Sequence, residues 1–152
     1  MTLRTDEGSH LLMRHFIDVF ALSLKGLEMA RKVIMWSDIV AESFTPGIMS
    51  SLGLGYEDLK KIRPDIIVMT IASRGMNGPE RDYLGYANIH HGIGGAAYIS
   101  GHSESHPTHG AGGDTDIMNG TVGAFAVVSA LHHKARTGKG QFIDLSQCEA
   151  VS

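Results

Sequence analysis

Hydrophobic residues recur along this chain at helix-like and then strand-like spacings, and that alternation predicts most of its elements. Leu27, Ala30, Ile34 and Met35 suit one face of a helix over 27–36, with a short strand over 20–24 before it and Gly26 as the break between them. After a turn at Ser37 and Asp38, Ile39 and Val40 read as the end of a buried strand, and Pro46-Gly47 as loop punctuation. Tyr56 to Ile62 is expected to be a short helix stopped by Pro64. The β-branched run DIIVMTIAS that follows predicts a strand buried on both faces. A polar, glycine-rich loop from Ser73 to Arg81 leads through Gly85-Tyr86 into a helix near Asn88 to Ile99, and GHSESHPTHGAGG then forms a long loop.

The stretch from Gly112 to Glu149 has the strongest pattern. Asp114, Thr115 and Asp116 stand directly before an almost unbroken small and apolar run from Gly120 to Leu131. His132, His133, Lys134 and Arg136 follow, and then Gly138. This order predicts a helix with a capped acidic start, a buried body, positive charge at its carboxyl end and a glycine stop. FIDLS then reads as one more strand. Helices alternating with strands argue for an α/β fold with a mainly parallel, Rossmann-like sheet, whose ligands gather at the carboxyl ends of the strands. Leu11 to Phe20 is apolar without a clear period, and the ten residues before it are polar.

Composition narrows the function. One domain is expected from 152 residues with 43% hydrophobic and 19% charged content. A formal charge of −3 with no long basic run excludes a nucleic-acid footprint, so no nucleic-acid partner is expected. No apolar run approaches the ~20 residues of a membrane span, and the start MTLRTDEGSH has no secretory pattern, which makes the cytoplasm the expected location.

Each chemical candidate has a plain structural reading beside it. Asp116 suits a nucleophile or a base, but an acidic residue at a helix start is more often a cap, and Asp114 competes with it. His102, His106 and His109 come closest to a metal-ligand spacing, yet Pro107 and the nearby glycines prevent the helix that would align them, and no metal site is expected. His90-His91 and His132-His133 point apart on a helix and read as surface or cap residues. GIGGAA at Gly92 to Ala97 fits a loose dinucleotide fingerprint, but YANIHH before it lacks the apolar run of a strand. Cys148 reads as a buried small residue, and Ser43, Ser73 and Ser146 lie in no nucleophile-elbow sequence.

From AESFTPGIMSSLGLGYEDLKKIRPDIIVMTIASRGMNGP to ARTGKGQFIDLSQCEA, the chain resembles the class III CoA transferases, the family of the formyl-CoA and carnitine CoA-transferases. The shared motifs run in order from about Leu22: the PG loop, the LGLGYEDL helix, the NGP turn, the GY loop and the helix closed by RTGKGQ. The resemblance implies that Asp116, four residues before Gly120, is a nucleophile that attacks an acyl-CoA thioester and passes through an aspartyl-CoA intermediate to a carboxylic acid acceptor. It implies CoA contacts from Leu22 to Lys25, from Ser43, Phe44 and Thr45, from Ser51, and from the loop Leu84 to Ala87 with Gly85 and Tyr86. CoA or acyl-CoA would be a substrate, with no covalently bound cofactor. Ser43 stands where the formyl-CoA branch has asparagine, and Ser51 where it has an arginine suited to a phosphate; Arg74 or Arg81 are the cations that could compensate.

Tyr86-Ala87 stands where the racemases of the same fold carry a histidine base and an aspartate, so transfer is expected over racemisation. The resemblance also implies an interlocked homodimer in longer members, in which a second small domain lays a glycine-rich loop over the aspartate. On that comparison, residues 21–152 correspond to part of the large domain, residues 1–20 have no clear counterpart, and little turnover is expected from these residues alone. A non-catalytic CoA-binding or assembly module is the alternative expectation, and a dinucleotide-binding domain a weaker one.

Overall fold

The computed structural model describes residues 24–107 and 113–152. Helix α1 (Leu24–Trp36) leads to strand β1 (Ile39–Glu42), then α2 (Ile48–Ser51), α3 (Tyr56–Ile62) and β2 (Ile67–Ala72). Next come α4 (Ala87–Ile93), α5 (Ala96–Ile99), the long α6 (Asp114–Thr137), β3 (Phe142–Ser146) and a 3-10 turn over Glu149–Val151. The strands form one parallel sheet in the order β1-β2-β3, with Val40 opposite Val68 and Val68 opposite Phe142. This is the α/β architecture that the alternating pattern predicts.

Strand periodicity divides the core into two sides. Val40 and Val68 face Ile34 of α1, Leu59 of α3, and Met49, Leu54 and Ile66. Met69 and Leu145 face the other way, where α6 crosses the sheet so closely that a methyl group on Gly123 would lie 3.4 Å from the Met69 sulfur. The four positions buried along α6 are Thr115, Asn119, Gly123 and Ala130, a single stripe at helical spacing.

At the amino ends of the strands, Lys134 of α6 reaches Asp65 at 2.7 Å and Asp38 at 3.0 Å. Arg63 bridges the same two carboxylates at 3.1 Å and 2.6 Å. The cluster holds the Asp65 carboxyl down at about 2, through the Lys134 and then the Arg63 hydrogen bond. Gly138 ends α6 in the left-handed region, φ 71°, as the glycine stop predicts.

Several expectations are corrected. Gly26 does not break a strand from a helix: it lies inside α1 and is buried, because packing of the helix outweighs the modest cost of one glycine. Leu24 therefore belongs to a helix, and the rest of the segment 20–24 lies outside the described residues. Met35 is 58% exposed, since it sits about 100° beyond Ile34 and off the buried stripe. The helix expected near Asn88 to Ile99 is two short helices interrupted at Gly94-Gly95, where Gly95 has φ 85°. This also removes the dinucleotide reading of GIGGAA, because a helix precedes those glycines where the fingerprint needs a strand.

The largest correction concerns α6. Its start is not capped by a side chain: Gly113 occupies the N-cap at φ 117°, and Asp116 is the third residue of the helix. Its body is not buried either. Ile117, Phe125 and Val128 are 74%, 75% and 63% exposed, because only one stripe of the helix meets the sheet.

Candidate functional site

The carboxyl ends of all three strands converge on one side of the sheet. Ser43, Phe44 and Thr45 follow β1, Ser73 follows β2 and Gln147 follows β3. Together with Arg81, Leu84 and Gly85 they line a small cavity of about 90 Å³. The Glu42 carboxylate fixes the first of these turns by accepting the Phe44 backbone N–H at 2.7 Å. Ser73 is pinned by its carbonyl, which accepts the Cys148 N–H at 3.1 Å.

Asp116 stands on the exposed first turn of α6, where the helix dipole favours a carboxylate. Its neighbour Thr115, 2% exposed, donates its hydroxyl to the Ala87 carbonyl at 3.1 Å and so fastens the start of α6 to the first residue of α4, where the preceding loop ends. On the inner side of that loop lies His90, with Nε2 2.9 Å from the Ser73 hydroxyl. Burial pushes the His90 imidazole below its ordinary value; Asp116 pulls it back and Arg74 pushes with burial. His90 therefore feels the charge of Asp116. The Cys148 thiol is raised by burial, against opposing effects from Arg74 and a hydrogen bond with Ser73.

The predicted contacts separate into three groups. Ser43, Phe44, Thr45, Leu84 and Gly85 are brought together around the cavity. Tyr86 adjoins them, 81% exposed, while its carbonyl accepts the first hydrogen bonds of α4 from Ile89 and His90. Ser51 is not part of this group: its hydroxyl turns back onto the Ile48 carbonyl at 2.8 Å. Lys25 lies in the first turn of α1, and Leu22 lies outside the described residues. Of the two candidate cations, Arg74 is engaged by Glu80, and Arg81 lines the cavity while pairing with Asp82 at 3.6 Å.

His90 and His91 are 1% and 8% exposed, which corrects the expectation of surface residues. Adjacent helix positions point about 100° apart, and both directions are covered here because α4 packs against α6 and the strand ends. His102 and His106 are exposed, and His109 lies outside the described residues. Among the described residues no group of three histidine, cysteine or acidic side chains is placed to hold a metal. Nor is any described helix long and apolar enough to cross a membrane.

The sequence profile described as CoA-transferase family III matches residues 19–152. The chain belongs to this family. It is 38% identical over 128 residues to the succinyl-CoA--L-malate CoA-transferase beta subunit of Chloroflexus aurantiacus, an alignment that covers 84% of this chain and 32% of that one. It is 37% identical over 126 residues to the acetyl-CoA:oxalate CoA-transferase of Acetobacter aceti, covering 82% and 31%. Among solved structures, the CAIB/BAIF family protein from Brucella suis superposes with a TM-score of 0.83 at 34% identity, covering 87% of this chain and 35% of that one. The chain thus spans about a third of the length of the family III relatives it matches.

Gln147 carries no site motif in the sequence, Ser73 lies outside any nucleophile elbow and His90 reads as a surface or cap residue, so none of the three is a predicted site residue. Ser73 and Gln147 each directly follow a strand, and the rule that ligands gather at strand carboxyl ends is the signal that points to them. No sequence signal placed His90 beside Ser73, 17 residues away.

Proposed function

We propose that this chain carries the nucleophile and part of the CoA-facing surface of an enzyme that moves coenzyme A from an acyl-CoA thioester to a carboxylic acid. The observation that carries the reading is the position of Asp116, exposed on the first turn of α6 and tied through Thr115 to the loop that borders the strand-end cavity. An Asp116 oxygen attacks the thioester carbonyl, the carbon–sulfur bond breaks, and CoA leaves as the thiolate. The mixed anhydride that remains is attacked by that thiolate at the Asp116 carbonyl, which releases the donor acid and leaves an aspartyl-CoA thioester. The acceptor carboxylate then attacks this thioester, and the freed thiolate takes the acceptor acyl group and restores the Asp116 carboxylate. No step changes an oxidation state.

Ser43 to Thr45, Gly85 and Tyr86 are the groups we assign to CoA, with Arg81, which lines the same cavity, the cation for a phosphate. The family resemblance further suggests a homodimer and a second domain as parts of the complete catalytic unit. On this reading, the 152 residues alone bind CoA and undergo the half-reaction but do not sustain exchange.

Incubation of the purified protein with succinyl-CoA followed by hydroxylamine tests this reading. A hydroxamate at Asp116, absent from Asp116→Asn, is the expected product. CoA binding by calorimetry with no trapped adduct would refute the catalytic role and favour the second reading, a non-catalytic CoA-binding module.

A further inference from the structure

Beneath the Leu84 to Ala87 loop lies a polar pair that the proposed chemistry does not use. His90 is 1% exposed, and its Nε2 lies 2.9 Å from Ser73 Oγ. Its other ring nitrogen, Nδ1, is buried and has no hydrogen-bond partner among the described residues. A buried polar atom without a partner carries a cost that an aliphatic side chain of similar size would avoid. The contact with Ser73 is therefore the polar interaction that the ring makes among the described residues.

The loop above explains the pair better. A methyl group built on Gly85 would stand 2.5 Å from both His90 Nε2 and Ser73 Oγ, so the backbone of Gly85 rests directly on the two polar atoms. Such a lid argues against a serine nucleophile with a histidine base, because the space over Oγ is already filled. The pair acts as a floor. Ser73 is fixed to the end of β3 through Cys148, and His90 is fixed in α4. Their contact sets how far the Gly85-Tyr86 backbone sinks toward the strand ends, while Thr115 holds the far end of the same loop at Ala87.

We propose that Ser73 and His90 are positioning residues that hold the Leu84 to Ala87 loop at the height required for its ligand. Because that ligand is taken to be CoA, the effect on affinity rests on the proposed function, whereas the effect on the loop does not. His90→Leu, Ser73→Ala and His90→Gln test it; glutamine keeps a polar group near the place of Nε2. Hydrogen exchange of the 84–90 amides is expected to speed up about tenfold in His90→Leu and Ser73→Ala and to recover largely in His90→Gln, in line with the loss of one buried hydrogen bond.

Calorimetry with CoA separates the two claims. If the unaltered protein binds CoA, the same two variants should weaken it severalfold and glutamine should restore it. Unchanged exchange in His90→Leu and Ser73→Ala overturns the positioning role whether or not CoA binds. Faster exchange in a protein that never binds CoA upholds the positioning role and refutes the CoA assignment instead.

Discussion

The Thr115 hydroxyl donates to the Ala87 carbonyl at 3.1 Å and joins the helix that carries Asp116 to the loop that borders the strand-end cavity, across 28 residues of sequence. Thr115 is 2% exposed, so the carbonyl it serves has little access to water. Thr115→Val keeps the shape and removes the donor. Leaving one buried acceptor unpaired should lower stability by about 1–2 kcal/mol, read as a lower urea midpoint with an unchanged slope. An unchanged midpoint would show that Ala87 is served by water.

Asp65 should contribute to the acid limb of stability. Its folded value, about 2, lies below the ordinary 3.8 because Lys134 and Arg63 hydrogen-bond its charged form. The unfolded chain then binds the proton first, so the contribution is complete above the ordinary value and fades as pH falls from there toward the folded one. The Asp65 side chain is 37% exposed, and solvent screening keeps the effect modest. In Lys134→Met, urea denaturation between pH 5 and 2 should show a shallower acid loss than the unaltered protein. A slope as steep as before would remove Lys134 as the cause.

His90 titrates in a different window. Burial lowers its folded value below 6.5, against the pull of Asp116, so below that pH the unfolded state binds more protons than the native one. Stability should therefore rise with pH up to the ordinary histidine range and fall as pH drops below it. Asp116→Asn removes the opposing charge and should lower the folded value further, visible by NMR as a shifted His90 titration. An unshifted curve would mean that the two groups do not communicate.

Local patterns made the elements legible, and burial was the part they left open. Tyr56 to Ile62 is a helix at the predicted bounds because its punctuation is local: Gly55 before it and Arg63-Pro64 after it. The β-branched run gave β2 for the same reason. Gly26 was misplaced because tertiary packing, not propensity, decides whether one glycine stays in a helix. His90 and His91 were misplaced because the elements that cover α4 are distant in sequence. Asp116 was visible as an acidic residue at a helix start, yet only the family motifs raised it above a cap, because caps and nucleophiles share that position.

Gly140 should tolerate no side chain. A methyl group there would overlap the Ile66 carbonyl oxygen, and a backbone atom cannot rotate aside. The adjoining Gln141 carbonyl accepts the Val68 N–H at 3.0 Å, which begins the β2–β3 pairing. Gly140→Ala must push β3 away from β2 and is expected to cost more than about 3 kcal/mol, the range of severe overpacking. Thermal denaturation gives the readout, and a melting temperature within a degree or two of the unaltered protein would contradict the geometry.

The exposed face of α6 makes a prediction about association. Ile117, Phe125 and Val128 are each more than three-fifths exposed and recur at helical spacing, which creates an apolar stripe on the side away from the sheet. Stripes of this kind on a lone domain favour self-association, because burying them against a second surface removes apolar area from water. Charges at the two central positions, Phe125→Glu with Val128→Lys, should shift light-scattering mass toward monomer. Folding should be little affected, since neither side chain contributes to the described core. Equal masses for the two proteins would exclude the stripe as the contact, and unfolding of the variant would show that α6 is covered from a side the described residues do not reveal.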